Sequence, residues 1–278
     1  MNIKLWLNVA YLKLKSVGII SFRIDAEILL SYVTKKDISW LVVYGSYKLT
    51  VSDLVKLNSL LRRRMNGEPI AYLVGKKEFW SLSLIVSHAT LIPRSDTEIL
   101  VEHTLTRLEN VNYKKVLDLG TGCGCIALAL ASIKLYCHVI GVDCIQESIC
   151  IAKKNAQILQ LNNVVFFHSF WFNSIYQTFD IIVSNPPYIG LSEIDNLDRE
   201  LLFEPFFALV STNNGLGAIS YIIKNSKRYL NNMGWLLIEH SWMQRVRVQA
   251  LFKKYHFSNI MTYQDYSGND RITVGQKK

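Results

Sequence analysis

The sequence predicts a doubly wound α/β domain with a mostly parallel sheet, preceded by a small helical domain and a β-hairpin linker. Three observations point there. From Lys115 onward, apolar runs of strand length alternate with helical patterns, the order that gives right-handed crossovers and a sheet covered on both faces. Before Gly67 the apolar residues keep helical spacing only. Finally, 278 residues exceed the usual single domain, so a core domain of about 180–200 residues plus a smaller module is the natural division.

Taken in order, Ile3, Trp6, Leu7, Ala10 and Leu14 recur at helical spacing. Further helical patterns run through Ala26 to Val33 and through Leu54, Leu57 and Leu61, ending at Gly67-Glu68-Pro69. These make a helical domain over 1–68. Ile70 to Val74 is joined through Gly75-Lys76-Lys77 to a segment in which Trp80, Leu82, Leu84 and Val86 alternate with Ser81, Ser83 and Ser87. Period-two patterning around a turn predicts a β-hairpin, and a linker over 69–94. Ser95 followed by Glu98 is a capping box, which predicts a helix from about Asp96 to Glu109 at the start of a domain over 95–278. Strands are expected at Lys115 to Leu119, His138 to Val142, Val164 to Phe167, Phe179 to Ser184 and Trp235 to Glu239, with weaker ones near Ile260 and at Arg271 to Val274. Helices are expected at Ile126 to Ser132, Glu147 to Leu159, Ala218 to Leu230 and Met243 to Tyr255.

Composition narrows the class. With 50% hydrophobic and 19% charged residues, the chain has ample material for a packed core and too little charge for disorder. Lys4, Asn8, Lys13 and Lys15 interrupt the N-terminus, and no apolar run reaches the roughly 18–20 residues that span a bilayer. A cytoplasmic protein without a membrane partner is expected. The five cysteines, Cys123, Cys125, Cys137, Cys144 and Cys150, are odd in number and lack zinc spacing, so free thiols and no metal site are expected. A net charge of +9 suits a polyanionic partner, but scattered lysines carry much of it rather than one block.

In this fold a ligand sits at the carboxyl ends of the strands, where strand order reverses. The loop after the first strand of the sheet is Asp118-Leu119-Gly120-Thr121-Gly122-Cys123-Gly124. Glycines there let a ligand approach the backbone. Cys125 stands where a dinucleotide fingerprint needs its third glycine, and no Gly-Lys-Ser/Thr ending follows, which argues against both nicotinamide dinucleotides and ATP. Asp143 ends the next strand, where a carboxylate accepts hydrogen bonds from both ribose hydroxyls; its alternative role is a helix N-cap. Asp118 has two open readings, a partner for the ammonium group of the cofactor or a brace for the loop amides.

After the apolar strand Phe179 to Ser184 comes Asn185-Pro186-Pro187-Tyr188. A planar amide or exocyclic amine has a delocalised lone pair, so attack on a methyl group requires its nitrogen to be held and oriented. The side-chain oxygen of Asn185 and the carbonyl of Pro186 can accept the two N–H donors of one NH₂ group. The prolines fix φ, and the Tyr188 ring offers a flat surface for stacking. Methyl transfer from a sulfonium neutralises charge, so alignment and dryness matter more than a strong base. As the bland alternative, Pro-Pro merely ends a strand and Tyr188 is core.

At these residues the sequence resembles the release-factor glutamine methyltransferases of the PrmC/HemK type. The resemblance extends over Ile92 to Glu98, Asp118 to Gly124, Gly141-Val142-Asp143, Ser184 to Ile189, Phe203-Glu204-Pro205 with Ala208-Leu209, Ile238-Glu239-His240 and Asp270-Arg271, essentially the whole chain in order. It implies a Rossmann-like class I methyltransferase sheet. It also implies transfer of a methyl group from S-adenosylmethionine to N5 of the glutamine in the Gly-Gly-Gln motif of release factors, in translation termination, with the N-terminal domain gripping the factor. By position, Gly120, Thr121, Gly122, Cys123, Gly124, Asp143, Trp171 and Asn185 would bind the cofactor. Asn185, Pro186, Pro187 and Tyr188 would hold the glutamine, with Asn185 and Tyr188 catalytic; Trp171 has a core role as its alternative. A monomer is expected. Two departures stand out. Ser95 replaces the common Pro of the family, which leaves a good N-cap. Phe170 replaces an acidic residue that would accept from the adenine amino group, a loss of about 1.5–3 kcal/mol of cofactor binding.

Two other functions compete. A DNA or RNA N6-adenine methyltransferase would use the same tetrapeptide but needs base flipping and a target-recognition region, and the N-terminal module shows no basic stripe. A non-catalytic adenosine- or RNA-binding protein would account for the positive charge and would not need Asn185 to Tyr188 intact.

Overall fold

A computed structural model describes residues 1–108 and 114–278. Met1–Lys76 with Asp198–Phe203 forms one unit, and Lys77–Leu197 with Glu204–Lys278 forms a second.

The first unit is helical: α1 (Ile3–Ser16), α2 (Phe22–Thr34), α3 (Ile38–Val43), α4 (Val51–Met65) and α5 (Ile70–Val74). Polar side chains start α1, α3 and α4 by satisfying first-turn amides. Asn2 Oδ1 accepts from the Leu5 N–H at 2.9 Å, Asp37 Oδ1 from that of Trp40 at 2.6 Å, and Thr50 with Asp53 forms a capping box. The expected stripe residues Ile3, Trp6, Ala10, Leu14, Leu57 and Leu61 meet in one buried cluster with Leu29 and Leu30.

Among the charges buried in this unit is Arg64, 2% exposed. Its Nε donates to Asp25 Oδ2 at 2.6 Å, its Nη1 to the Glu68 carbonyl at 3.2 Å, and its Nη2 to Glu200, which fastens the 198–203 segment to α4. Replacing Arg64 by Leu leaves the buried Asp25 carboxylate with the Ser21 hydroxyl but no countercharge. A loss of about 3–5 kcal/mol is expected, read as a lower denaturant midpoint at unchanged slope; an unchanged midpoint would show that the pair is dispensable.

The expected hairpin is present but displaced. Ile70–Val74 is helix, not strand; β1 (Lys76–Phe79) pairs with β2 (Leu82–Ile85). A five-residue apolar run does not distinguish helix from strand. Here Pro69 precedes it, and Gly75 ends it in the left-handed conformation at φ +72°, a helix C-terminal device. The turn is Trp80-Ser81, at φ +52° and +59°, the geometry of a two-residue hairpin turn.

Ser95 and Glu98 form no capping box. A 3₁₀ turn over Ser95–Thr97 leads into α6 (Glu98–Arg107), and neither start carries a side-chain cap. Glu98 Oε1 instead accepts the Trp80 N–H at 2.9 Å, a hairpin donor that would otherwise lack a partner. The helix end expected at Glu109 lies outside the described residues.

The remaining elements alternate as expected: β3 (Lys115–Leu119), α7 (Cys125–Ile133), β4 (His138–Asp143), α8 (Gln146–Ile158), β5 (Val164–His168), β6 (Phe179–Ser184), α9 (Phe206–Leu209), α10 (Gly217–Ser226), β7 (Leu230–Glu239), α11 (Arg245–Lys254), β8 (Ser258–Gln264) and β9 (Asp270–Gln276). The sheet order is β5-β4-β3-β6-β7-β9-β8. Strands β5 to β7 run parallel, and β9 is antiparallel to both neighbours. The helix expected over Ala218 to Leu230 stops at Ser226 because Leu230 is taken by the sheet, opposite Phe179; tertiary pairing overrides local propensity there.

Register fixes what meets at the sheet edge. Leu119 pairs with both Val142 and Ser184, and Asp143 pairs with His168. Parallel strands in this register bring the loops opening at Gly120, Asp143, Ser169 and Asn185 to one edge. From β3 the chain winds outward through β4 and β5, then returns to β6 on the other side, so the reversal point lies between β3 and β6. Among the described residues no helix is long and apolar enough to cross a membrane, and all five cysteines are free.

Candidate active site

At this edge of the second unit lies a cavity of about 260 Å³. Of the residues singled out from sequence, Gly120, Thr121, Gly122, Cys123, Asp143, Trp171, Asn185 and Pro187 line it. Pro186, Tyr188 and Gly124 do not lie on its wall. Gly124, at φ +89°, starts α7 under tight packing: a Cβ there would come within 3.0 Å of Leu128 and Phe166. Its lack of a side chain therefore serves helix packing rather than ligand approach.

The glycine loop is held by hydrogen bonds from within. The Gly120 and Thr121 N–H groups both donate to the Val142 carbonyl at 2.9 Å. Asp118 is wholly buried, and its Oδ2 accepts from the Thr121 hydroxyl at 2.6 Å and from the Ala127 N–H at 3.3 Å. This is the bracing geometry of its two readings. Its Oδ1 has no hydrogen-bond partner among the described residues, and burial pushes its pKa up to about 7.

Asp143 faces the cavity 9% exposed. Oδ2 accepts from the Gly122 N–H and Oδ1 from the Ile145 N–H, both at 2.9 Å. Each oxygen keeps a lone pair for one of two adjacent hydroxyls. Burial raises its pKa, and the backbone donors of Ile145 and Gly122 hold it down. The residue at the N-cap of α8 is Ile145, without a side-chain cap, so Asp143 is not that cap.

Across the cavity, Trp171 adopts φ +50°, rare for a bulky side chain and costly outside functional sites. The Ser169 hydroxyl holds the turn by donating to the Trp171 carbonyl at 2.9 Å, and the indole ring covers Gly120. Phe170 also lines the cavity, half exposed, with its ring 6.2 Å from that of Trp171. A flat, apolar wall stands where the resemblance would put an acidic acceptor.

The tetrapeptide is positioned by residues far away in sequence. Asn185 Nδ2 donates to Thr97 Oγ1 at 3.1 Å, which leaves its Oδ1 as the free acceptor. Pro186 is buried. The Tyr188 carbonyl accepts from Gln244 Nε2 at 2.9 Å, and its hydroxyl donates to the buried Glu239 Oε1 at 3.4 Å. Burial drives the phenol pKa far up, with Glu239 adding to the shift. The wall also uses Arg94, Thr97, Phe207 and Ala208. Glu204 joins two of these segments, accepting from the Ile92 N–H at 3.0 Å and pairing with Arg94. Thr97, Glu204 and Glu239 stood in the resembling motifs without a role, and Gln244 stood in none. Burial is the signal that picks them out, and burial of an isolated acid is not visible in sequence.

A doubly wound sheet, a glycine loop without phosphate spacing and the Asn185-Pro186-Pro187-Tyr188 loop at the same sheet edge define the class as methyltransferase. In agreement, residues 110–271 match the family model described as a methyltransferase domain, and residues 6–75 match the PrmC N-terminal domain. A release factor glutamine methyltransferase from Buchnera aphidicola subsp. Baizongia pistaciae is 59% identical over 100% of both chains. One from Escherichia coli is 43% identical over 98% of this chain and 97% of its own. A solved methyltransferase from Pyrococcus furiosus, 17% identical, covers 79% of this chain and 98% of its own at a TM-score of 0.52, a likeness of fold alone. The chain belongs to the release factor glutamine methyltransferase family.

Proposed function

We propose that this protein transfers a methyl group from S-adenosylmethionine to the side-chain amide nitrogen of the glutamine in the Gly-Gly-Gln motif of peptide-chain release factors. The observation that carries the reading is the fixed carboxamide of Asn185, its nitrogen engaged by Thr97 and its side chain on the same cavity wall as the glycine loop.

The cavity fits the donor. Gly122 has no atom within 4 Å of an added Cβ, so the loop leaves space that any side chain would fill. Asp143 retains two acceptor positions for a ribose, and Trp171 with Phe170 supplies a flat apolar wall for a base. When bound, the donor supplies a methyl group on a positively charged sulfur. Gly120, Thr121, Gly122, Cys123, Asp143 and Trp171 hold it, together with Asn185.

Asn185 Oδ1, on the cavity wall, accepts one amide proton of glutamine, and the carbonyl of Pro186, behind that wall between Asn185 and Pro187, is the acceptor assigned to the other, so that the nitrogen is oriented. Bound there, the donor would pass its methyl carbon to that nitrogen as the carbon–sulfur bond broke, which would leave the sulfur neutral and the nitrogen with one proton to lose. No strong base is needed because charge is consumed. Pro187 gives the site a rigid apolar edge. Tyr188, off the cavity wall, anchors the loop through its hydroxyl to Glu239 and through its carbonyl to Gln244. The helical domain over 1–68 recognises the release factor, 69–94 links it to the catalytic domain over 95–278, and the enzyme works in the cytoplasm as a monomer.

The test is transfer of labelled methyl to a purified release factor, to the same factor with its loop glutamine replaced, and to DNA or rRNA. Label on the intact factor alone is the expected result. Label on nucleic acid would move the assignment to an adenine methyltransferase, and label on nothing would favour a binding protein.

A further inference from the structure

A base carried by a ribose on Asp143 meets aromatic rings and few polar atoms. The register pairs Asp143 with His168, and the Ser169 N–H donates to the Asp143 carbonyl at 2.9 Å. The residues after β5 therefore stand beside the carboxylate. There a recess of about 30 Å³ adjoins the main cavity, lined by Gly120, Asp143, Cys144, Ser169, Phe170 and Trp171. Among these residues, side-chain oxygens belong to Asp143 and Ser169 alone. Asp143 accepts from the Gly122 and Ile145 N–H groups and keeps its remaining lone pairs for the ribose. Ser169 Oγ donates to the Trp171 carbonyl at 2.9 Å and accepts from the Ser174 N–H at 3.0 Å. Backbone acceptors of the recess are engaged in the same way. The Phe170 carbonyl accepts from the Asn173 N–H at 3.1 Å, and the Cys144 carbonyl accepts from His168 Nε2 at 2.9 Å.

Phe170 is 54% exposed, so the edge of a base stacked against it faces water. An amino group on that edge keeps its hydrogen bonds to solvent. It gains no protein partner and loses no hydration, and its net contribution to affinity is close to nothing. Resting on the reading of this cavity as the methyl-donor site with the ribose on Asp143, we infer that Phe170 sets the base specificity of the donor site: it holds the purine by stacking and leaves the 6-amino group unread, so a donor or product whose purine lacks that group binds equally well. A wall without an acceptor discriminates weakly between ligands that differ in one polar group, whereas a site that hydrogen-bonds the group rejects the analogue without it. Trp171, held at φ +50° with its ring over Gly120, fixes the second aromatic surface of the recess and adds no acceptor of its own.

The test is calorimetric titration of the full chain with two ligands: S-adenosylhomocysteine, the demethylated product, and its analogue with hydrogen in place of the 6-amino group. Wild type, Phe170→Leu, Phe170→Asp and Asp143→Ala are compared. Because Phe170 is half exposed, its variants should melt near wild type. Wild type should bind the two ligands within about threefold of each other, the weak discrimination of a wall without an acceptor. Phe170→Leu should weaken both together by about 2–10-fold, the scale of a lost aromatic contact, at an unchanged ratio. Phe170→Asp supplies a carboxylate for the amino group, so it should favour S-adenosylhomocysteine over the analogue by about tenfold or more. Coupling between residue 170 and the amino group thus appears only on substitution. A preference above about tenfold in wild type would reveal an acceptor for the amino group and overturn the proposal. Unchanged affinities in Phe170→Leu, or a ratio near one in Phe170→Asp, would place the base elsewhere and overturn it too. Asp143→Ala should weaken both ligands alike by about tenfold, the scale of charge-assisted bonds to the ribose. Unchanged affinity in that variant, or no binding of either ligand to wild type, would sink the donor-site reading instead, so the two failures are distinct.

Discussion

Asn185→Ala is expected to lower kcat by about 10³-fold or more, the scale of removing a preorganised hydrogen-bonding group together with the alignment it enforces, while affinity for the methyl donor stays within about threefold because uniform binding is untouched. The argument is geometric. A planar amide nitrogen is a poor nucleophile unless its plane and lone-pair direction are set, and setting them takes two acceptors on its two protons. Alanine removes one and leaves the Pro186 carbonyl alone, so the amide can pivot about a single hydrogen bond. The half-buried position of Asn185 keeps the stability cost small, about 1 kcal/mol for one lost hydrogen bond to Thr97. A melting midpoint near that of wild type therefore separates a lost rate from a lost fold. Single-turnover transfer to the release factor is the measurement, and a rate within tenfold of wild type would remove the two-acceptor mechanism.

What could be seen in the sequence follows from the distance between interacting residues. β3 and β6 were bounded to the residue because Lys115 to Leu119 and Phe179 to Ser184 are short apolar runs that need no distant partner to identify them. The edge that collects Gly120, Asp143 and Asn185 followed from alternation alone, since parallel crossovers return each strand in the same direction. By contrast, the hairpin slipped because Ile70 to Val74 is apolar throughout and carries no period. The Ser95 and Glu98 pair failed as a cap because Glu98 found the Trp80 amide, 18 residues away. The same limit hid the hydrogen bond between Thr97 and Asn185, whose partners lie 88 residues apart in a turn and a loop. Tyr188 shows the converse: its place after Pro187 suggested a stacking surface, and its hydroxyl in fact turns inward to an acid 51 residues on.

Gly122→Val is expected to weaken binding of the methyl donor by more than about 10²-fold, about 2.7 kcal/mol or more, with a smaller change in stability. Two glycines of one loop make the case by contrast. At Gly122, φ is +56° and an added Cβ meets nothing within 4 Å, and the residue itself lines the cavity. Valine there does not collide with the protein. It fills the space meant for the ligand, and at positive φ its branched side chain adds backbone strain of about 1–2 kcal/mol, which the loop can relieve only by moving the Gly122 N–H away from Asp143, its partner at 2.9 Å. At Gly124 the balance reverses. An added Cβ comes within 3.0 Å of Leu128 and Phe166 and 3.2 Å of Ala152, all packed behind the loop and off the cavity wall. Gly124→Ala should therefore lower the melting midpoint first and leave the residual folded protein with near-normal affinity. Calorimetric titration and thermal melting of both variants check this: affinity falls in one, stability in the other. Retained affinity in Gly122→Val would mean that the donor does not lie along this loop, and the ribose role of Asp143 would fall with it.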